Sequence, residues 1–262
     1  ILPMARLFSR ELRGLTKLET ALSARWNGAK VCVVPGDTDE DEHVLHEVGR
    51  SAATRLRSFL QSGFTLAVTG GTTIGQVAAT LPGGTPMNVM VVPARGGIGR
   101  SLETQANTIA CEIARRLGGH HRMMHLPDLL DEQALNEMRK LKEIDETLAL
   151  LERADVVLHG IGRADEMARK RQLPPAVEAE VLKRGAVSEA YGCYFDRKGK
   201  MVCSASTVAH DLGKLKPDCA WIAVAAGSGK DEAIDAAMRA KPHGLLVTDE
   251  GAAKKILTLP EP

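Results

Sequence analysis

The chain has 262 residues, which at ~150 per domain leaves room for one large domain or two small ones. It is 44% hydrophobic and 26% charged with a mean hydropathy of -0.11, a balance that excludes disordered, collagenous and disulfide-scaffold classes. Lys and Arg number 34 against 33 Asp and Glu, and aromatics are 3%, so the chain offers neither a broad basic field for nucleic-acid phosphates nor a set of base-stacking platforms. No apolar run approaches the ~18 residues of a membrane span and no signal peptide opens the chain, so a cytoplasmic protein without membrane contact is expected. Five cysteines, Cys32, Cys111, Cys193, Cys203 and Cys219, are scattered without a CxxC pair and read as buried or half-buried thiols rather than disulfides or a zinc site. The chain begins at Ile1, and Met4 falls inside a helical pattern, so an upstream segment is expected.

Over residues 4–26, Leu7, Leu12, Leu15, Leu18, Leu22 and Trp26 form one helical stripe interrupted by Gly14. These 27 residues are too few for the packed helices of a helix-turn-helix, so residues 1–27 read as an amphipathic linker or oligomerisation helix and 28–262 as one domain. Short apolar runs without alternation then predict strands at Lys30–Val34, Thr65–Thr69, Asn88–Val92, Arg122–Leu126, Asp155–His159, Ala220–Ala225 and Gly244–Val247. Helical patterns fill the gaps at Asp41–Gln61, Thr73–Leu81, Leu102–Leu117, Asp131–Arg153, Lys230–Ala240 and Asp249–Leu257. This alternation predicts an α/β, doubly wound, mostly parallel Rossmann-like sheet. Ser188–Ser206 interrupts it with two strand-like runs around Asp196–Gly199, read as a small antiparallel excursion.

In such sheets ligands bind beyond the carboxyl ends of the strands. Four of these junctions are glycine turns carrying a hydroxyl or a cation: Gly70-Gly71-Thr72-Thr73, Pro93-Ala94-Arg95-Gly96-Gly97, Gly160-Ile161-Gly162-Arg163 and Ala226-Gly227-Ser228-Gly229-Lys230. Glycines let backbone N–H groups converge, helix N-termini add positive potential, and Arg95 and Lys230 supply charge, which together predict anion binding at this rim.

Other motifs fail on inspection. Gly229-Lys230 has Val224 where a P-loop needs glycine, and the GxG after Asp155–His159 ends in Asp165, so neither a nucleotide triphosphate nor a dinucleotide cofactor is expected. His120, His121 and His125 lack a neighbouring carboxylate and read as polar edge or core residues, not a metal site. The acidic run Asp37–Glu42 reads as a solvated helix start. Glu189 is open between a sugar-hydroxyl acceptor or base and a cap carboxylate, and Arg169-Lys170-Arg171 between a phosphate contact and a solvated helix end.

The strings VTGGTTIGQVA (68–78), VVPARGGIG (91–99), QANTIACEIA (105–114), LHGIGRADEMARKR (158–171), AVSEAYGCYFD (186–196), AVAAGSGKDEAI (223–234) and VTDEGAAKKIL (247–257) resemble the effector-binding domain of SorC-type bacterial transcription regulators. The likeness runs from about Leu15 to the C-terminus and is nearest to repressors of lower-glycolysis genes. It implies a fold similar to sugar-phosphate isomerases and deaminases, a homo-oligomer (dimer or tetramer), and an N-terminal winged helix-turn-helix, not among these residues, that carries the operator-DNA contact. It also implies a phosphorylated sugar effector, fructose 1,6-bisphosphate or another glycolytic intermediate. Carried across, Gly71, Thr72 and Thr73 grip one phosphate with Arg95 on the same side, Gln105 is a further effector-site residue, Glu189 faces sugar hydroxyls, and Lys230, with Lys170, lies on the side of the other phosphate. Two positions depart from the pattern: Ala226 stands where a second glycine is expected, and Lys170 where an arginine is expected. The alternative is an isomerase or aminosugar-phosphate deaminase of the same fold. Such deaminases carry Asp-Gly-His after the GIG turn, whereas Asp165 is followed by Glu166 and Met167, so no catalytic residue is expected.

Overall fold

The computed structural model describes residues 14–96, 102–127, 130, 132–204, 215–240 and 244–261. Among them, seven strands form one parallel sheet in the order β1-β10-β9-β5-β2-β3-β4. These are β1 (Lys30–Val34), β2 (Thr65–Val68), β3 (Met90–Pro93), β4 (His120–His121), β5 (Val156–Arg163), β9 (Ala220–Val224) and β10 (Leu245–Asp249). Helices cover both faces, which is why the strands are apolar without alternation. Successive residues supply opposite layers: Leu66, Val68, Val156 and Leu158 join one core with Val48, Leu56, Ile74 and Ile113, while Ala67 and Val157 join another with Met124, Leu148 and Trp221.

The first core is closed by α2 (Glu42–Phe59), α3 (Thr72–Thr80) and α4 (Ala106–Leu117). Asp41 caps α2 through the His43 N–H at 2.9 Å, so the helix start falls where the acidic run placed it. On the other face α1 (Leu15–Arg25) packs Leu15 and Leu22, both fully buried, against α9 (Asp231–Ala240) and α10 (Glu250–Thr258). Arg25 pairs with Asp235 at 2.8 Å, and the Trp26 indole N–H donates to the same carboxylate at 2.8 Å. Leu7 and Leu12 of the stripe lie outside the described residues.

Three expectations are corrected. The strand expected at Arg122–Leu126 is the two-residue β4 at His120–His121, which pairs with Met90 and Val91. Beyond it Asn107 of α4 holds both backbone groups of Met124, its Oδ1 accepting from the N–H at 2.8 Å and its Nδ2 donating to the carbonyl at 3.1 Å. A side chain thereby occupies groups that a longer strand would pair. The helix expected over Asp131–Arg153 is two, α5 (Glu132–Met138) and α6 (Lys142–Glu152), with Leu141 extended and exposed between them. Leu135, Met138, Ile144, Leu148 and Leu151 all reach one core, so the stripe reads through a break that carries no Gly or Pro. Leu102–Leu117 likewise divides, into a short 3-10 turn at Leu102–Thr104 and α4.

The excursion holds three strands rather than two: β6 (Ala186–Ala190), β7 (Cys193–Asp196) and β8 (Met201–Ser204), all antiparallel. β5 extends past the parallel sheet so that Ile161 pairs with Ala190 and Arg163 with Ser188. The expected turn is present: Asp196 Oδ1 accepts from the Lys198 and Lys200 N–H groups, each at 2.9 Å, and Gly199 has φ 77°. α7 (Ala164–Lys170) and α8 (Pro175–Lys183) connect β5 to β6.

The free cysteines Cys32, Cys193 and Cys219 are buried and Cys203 is half-buried, but Cys111 is exposed. Burial pushes the Cys193 thiol up to about 11, which keeps it protonated.

Candidate functional site

After β2 the chain moves outward to β3 and β4; after β5 it moves the other way to β9 and β10. β2 and β5 are neighbours, so this reversal opens a crevice beyond their carboxyl ends, where open α/β sheets bind ligands. The two strands are stitched there, the Thr69 N–H donating to the Leu158 carbonyl at 3.0 Å and the Gly160 N–H to Thr69 Oγ1 at 3.3 Å.

On the β2 side the chain turns through Gly70 and Gly71 into α3. A Cβ on Gly70 would lie 2.5 Å from the Thr104 carbonyl oxygen, and Gly71 has φ 119°, so both positions require glycine. Gly71 gives α3 no capping side chain, unlike Asp41 of α2 or Asp249 of α10. The first-turn N–H groups of α3 at Thr72 and Thr73 are therefore presented at the crevice, and Thr72 is exposed. Gln105 lies half-buried at the start of α4, beside Thr104, whose carbonyl accepts from the Gly71 N–H at 2.8 Å.

Glu189 of β6 is the centre of a buried ionic cluster. Its Oε1 receives Arg95 at 3.0 Å, Arg171 at 2.8 Å and the Gly192 N–H at 2.7 Å, with all three charged side chains at most 5% exposed. Burial pushes the Glu189 pKa up, opposed by the charge of Arg95, the Gly192 N–H and the neighbouring His159. Two cations converging on one acceptor satisfy a carboxylate that would otherwise be costly to bury. Below the cluster, Trp221 makes edge contacts with His159 at 5.6 Å and Tyr191 at 5.1 Å between ring centroids. Tyr191 has φ 53°, in the left-handed region, which turns β6 into β7 and brings the Gly192 N–H under Glu189. Gly97 of the Pro93–Gly97 junction lies outside the described residues.

Lys230 closes the short turn after β9. It is half-buried, its side chain makes no hydrogen bond or ion pair with the described residues, and desolvation holds its pKa below the ordinary 10.5. The charges that act on it are Glu166, Lys170, Asp39 and Asp249. Lys170 is therefore near Lys230 but exposed at the end of α7, while Arg171, one residue on, is the buried member of the basic run. Sequence reasoning named Lys170 and missed Arg171. The signal available was position: the residue just past a helix end can fold back under it, as the Arg171 N–H does onto the Met167 carbonyl at 2.9 Å.

The acidic run is corrected in part: Asp41 caps the helix and Glu42 lies in its first turn, but the two earlier aspartates do not serve it. Asp37 and Asp39 dock onto the Gly227–Gly229 turn: the Ser228 N–H donates to Asp37 Oδ1 at 3.1 Å and the Gly229 N–H to Asp39 Oδ2 at 2.6 Å. Hydrogen bonds from Asp39 and Ser228 hold the Asp37 carboxyl below its usual range against the effect of burial.

No cluster of three metal-ligating side chains occurs among the described residues, and His120, His121 and His125 are exposed at the sheet edge. A cavity of about 670 Å³ lies at the opposite end of the sheet, lined by Thr16, Glu19, Lys30, Arg55, Phe59 and Leu245, away from every residue above.

The family model described as "Putative sugar-binding domain" matches residues 10–258. The Central glycolytic genes regulator of Priestia megaterium is 40% identical over 251 residues, covering 95% of this chain and 73% of the relative. Its namesake in Bacillus subtilis is 36% identical over 249 residues with the same coverage, 95% and 73%. A crystal structure described as the "putative SorC family transcriptional regulator from Enterococcus faecalis" superposes with a TM-score of 0.85 at 33% identity, covering 92% of this chain and all of that one.

This chain belongs to the SorC family. It is a sugar-binding domain of that family of transcriptional regulators, with the expected α/β fold. The full-length sorbitol operon regulator SorC of Klebsiella pneumoniae shares the fold, with a TM-score of 0.85 at 21% identity over 95% of this chain and 82% of that one. Among the described residues no helix is long and apolar enough to cross a membrane.

Proposed function

We propose that this domain senses a phosphorylated sugar, fructose 1,6-bisphosphate or another glycolytic intermediate, for a repressor of glycolytic genes. The observation that carries the reading is the convergence, at the switch point of the sheet, of an uncapped helix start, a buried arginine–carboxylate cluster and a half-buried lysine whose side chain has no partner among the described residues. One phosphate then sits on Gly71, Thr72 and Thr73 with Gln105, sugar hydroxyls meet the Arg95–Glu189 pair, and a second phosphate meets Lys230 with Lys170 nearby. The names of the two regulators at 40% and 36% identity support glycolytic genes as the target.

Occupancy of this site is read out through the oligomer: a homodimer or homotetramer whose arrangements differ in effector affinity passes the signal to operator DNA. Residues 1–27 form the connection to the part that contacts DNA, and residues 28–262 the effector domain, acting in the cytoplasm. A binding role rather than catalysis is supported by Asp165, which is held by Arg163 at 3.0 Å and Arg169 at 3.2 Å and is followed by Glu166 and Met167 instead of a histidine.

Lys230→Ala tests the placement, since removing this lysine leaves no buried partner behind. Calorimetric titration is expected to show fructose 1,6-bisphosphate binding at least about tenfold more weakly, because a charge-assisted hydrogen bond contributes roughly 1.5–3 kcal/mol. Unchanged affinity would remove Lys230 from the site.

A further inference from the structure

The turn after β9 gathers three consecutive N–H groups, the kind of concave donor set that holds anions. Each already meets a carboxylate of this chain: Gly227 donates to Asp249 Oδ2 at 2.8 Å, Ser228 to Asp37 Oδ1 at 3.1 Å and Gly229 to Asp39 Oδ2 at 2.6 Å.

The three carboxylates are not equivalent. Asp249 is fully buried; it also accepts from the Thr38 N–H at 2.8 Å and caps α10 through the Ala252 N–H at 2.9 Å. Asp37 is half-buried, closes its own loop by accepting the Asp39 N–H at 3.0 Å, and packs against Gly251. Both belong to the scaffold. Asp39 is exposed, and its carboxylate is held by the Gly229 N–H and, at 3.4 Å, by the Ser228 hydroxyl. It is also one of the charges that act on Lys230. A negative group thus stands on the donors of the turn, near Lys230, and it is the member of the set that can swing into solvent without exposing apolar surface or uncapping a helix.

We propose that Asp39 is a specificity-determining residue of the effector site: its carboxylate competes with an anionic group for the Gly229 amide and for Lys230, and so sets how far a sugar bisphosphate is favoured over a monophosphate. This rests on the proposed function above and adds to it which residue opposes the second phosphate. A ligand phosphate at this turn displaces Asp39 and takes over the Gly229 N–H. A ligand whose only phosphate sits at Gly71–Thr73 leaves Asp39 in place.

The test is calorimetric titration of wild type, Asp39→Ala and Glu40→Ala with fructose 1,6-bisphosphate and with fructose 6-phosphate, thermal melts verifying that each variant folds. Glu40 is an exposed acid one residue away with no contact to the turn amides, so it controls for a general loss of negative charge. Asp39→Ala is expected to bind the bisphosphate about tenfold more tightly and the monophosphate within about twofold of wild type, with Glu40→Ala changing neither by more than about twofold. Bisphosphate affinity that is unchanged or weaker in Asp39→Ala overturns the inference, as does an equal gain for both ligands or an equal gain in Glu40→Ala. Wild type that binds neither sugar phosphate overturns the proposed function and this inference with it.

Discussion

Glu189→Gln is expected to destabilise the domain by roughly 3–5 kcal/mol, the usual consequence of removing one partner from a buried ion pair. The substitution keeps the shape of the side chain and the hydrogen bond from Gly192, but leaves the Arg95 and Arg171 guanidiniums, each 3% exposed, without the carboxylate they share. Denaturant melts with an unchanged slope measure the loss as a pure stability change. Anions supply the diagnostic: inorganic phosphate or sulfate should return part of the lost stability to Glu189→Gln and much less to wild type, because an anion bound at 100 times its Kd adds about 2.7 kcal/mol. A loss below about 1 kcal/mol, or no difference in anion response, would mean that the cluster does not organise the site as described. Arg95→Ala is the less informative substitution. It leaves Glu189 buried with one cation fewer, so affinity and folding change together.

Asp235→Ala is expected to cost about 3 kcal/mol and to release α1 from the domain. Asp235 receives Arg25 at 2.8 and 3.1 Å, the Trp26 indole at 2.8 Å and Arg239 at 3.0 Å. Its pKa reflects burial, which raises it, and the hydrogen bonds of Arg25, Arg239 and Trp26, which outweigh burial and hold it below 3.8. A carboxylate depressed in the folded state stabilises fully above its unfolded value, so the contribution is intact above pH 3.8 and is lost as pH falls through the lower folded value. Trp26 fluorescence, read in a Trp221→Phe background because the chain has two tryptophans, reports the docking of α1. In Asp235→Ala the indole should shift to the emission of a solvated ring at neutral pH, and the chain with Asp235 intact should show that shift only in acid. An unshifted spectrum in the variant would show that Leu15 and Leu22 hold the helix without the ionic contact.

Much of the fold was legible because each parallel strand is buried on both faces and therefore stands out as a short apolar run. Thr65–Val68 and Leu245–Asp249 are buried along their whole length. The Asp196–Gly199 turn was equally legible, since an Asp that accepts from amides two and four residues on, followed by a glycine with positive φ, is a local device. What escaped depends on groups far apart in the chain. The strand expected at Arg122–Leu126 ends early because Asn107, seventeen residues upstream of Met124, takes that residue's backbone groups. Asp37 and Asp39 looked like helix-start acids because Asp41 is one; their real partners lie about 190 residues later in the turn after β9. Arg171 could not be singled out within Arg169-Lys170-Arg171 by composition. Its inward direction follows from where α7 ends and where Glu189 stands on β6.

The site residues themselves were chosen from glycine turns, charge and a family likeness, and those criteria cannot say which side chains pair with each other. Arg95 and Glu189 were assigned to ligand, and the structure joins them in one buried pair, with Arg171 as a second partner. That pairing gives the arginine a structural partner inside the protein, whatever its proposed contact with an occupant.

The central claim is that the switch-point crevice holds a phosphorylated sugar and recognises it by its phosphates. Isothermal titration of this chain with fructose 1,6-bisphosphate and, in parallel, with unphosphorylated fructose tests it most directly. The account predicts saturable binding of the phosphorylated sugar with one molecule per chain and no measurable heat of binding from fructose. Equal binding of the two sugars, or no binding of fructose 1,6-bisphosphate or of any other glycolytic sugar phosphate, would contradict it.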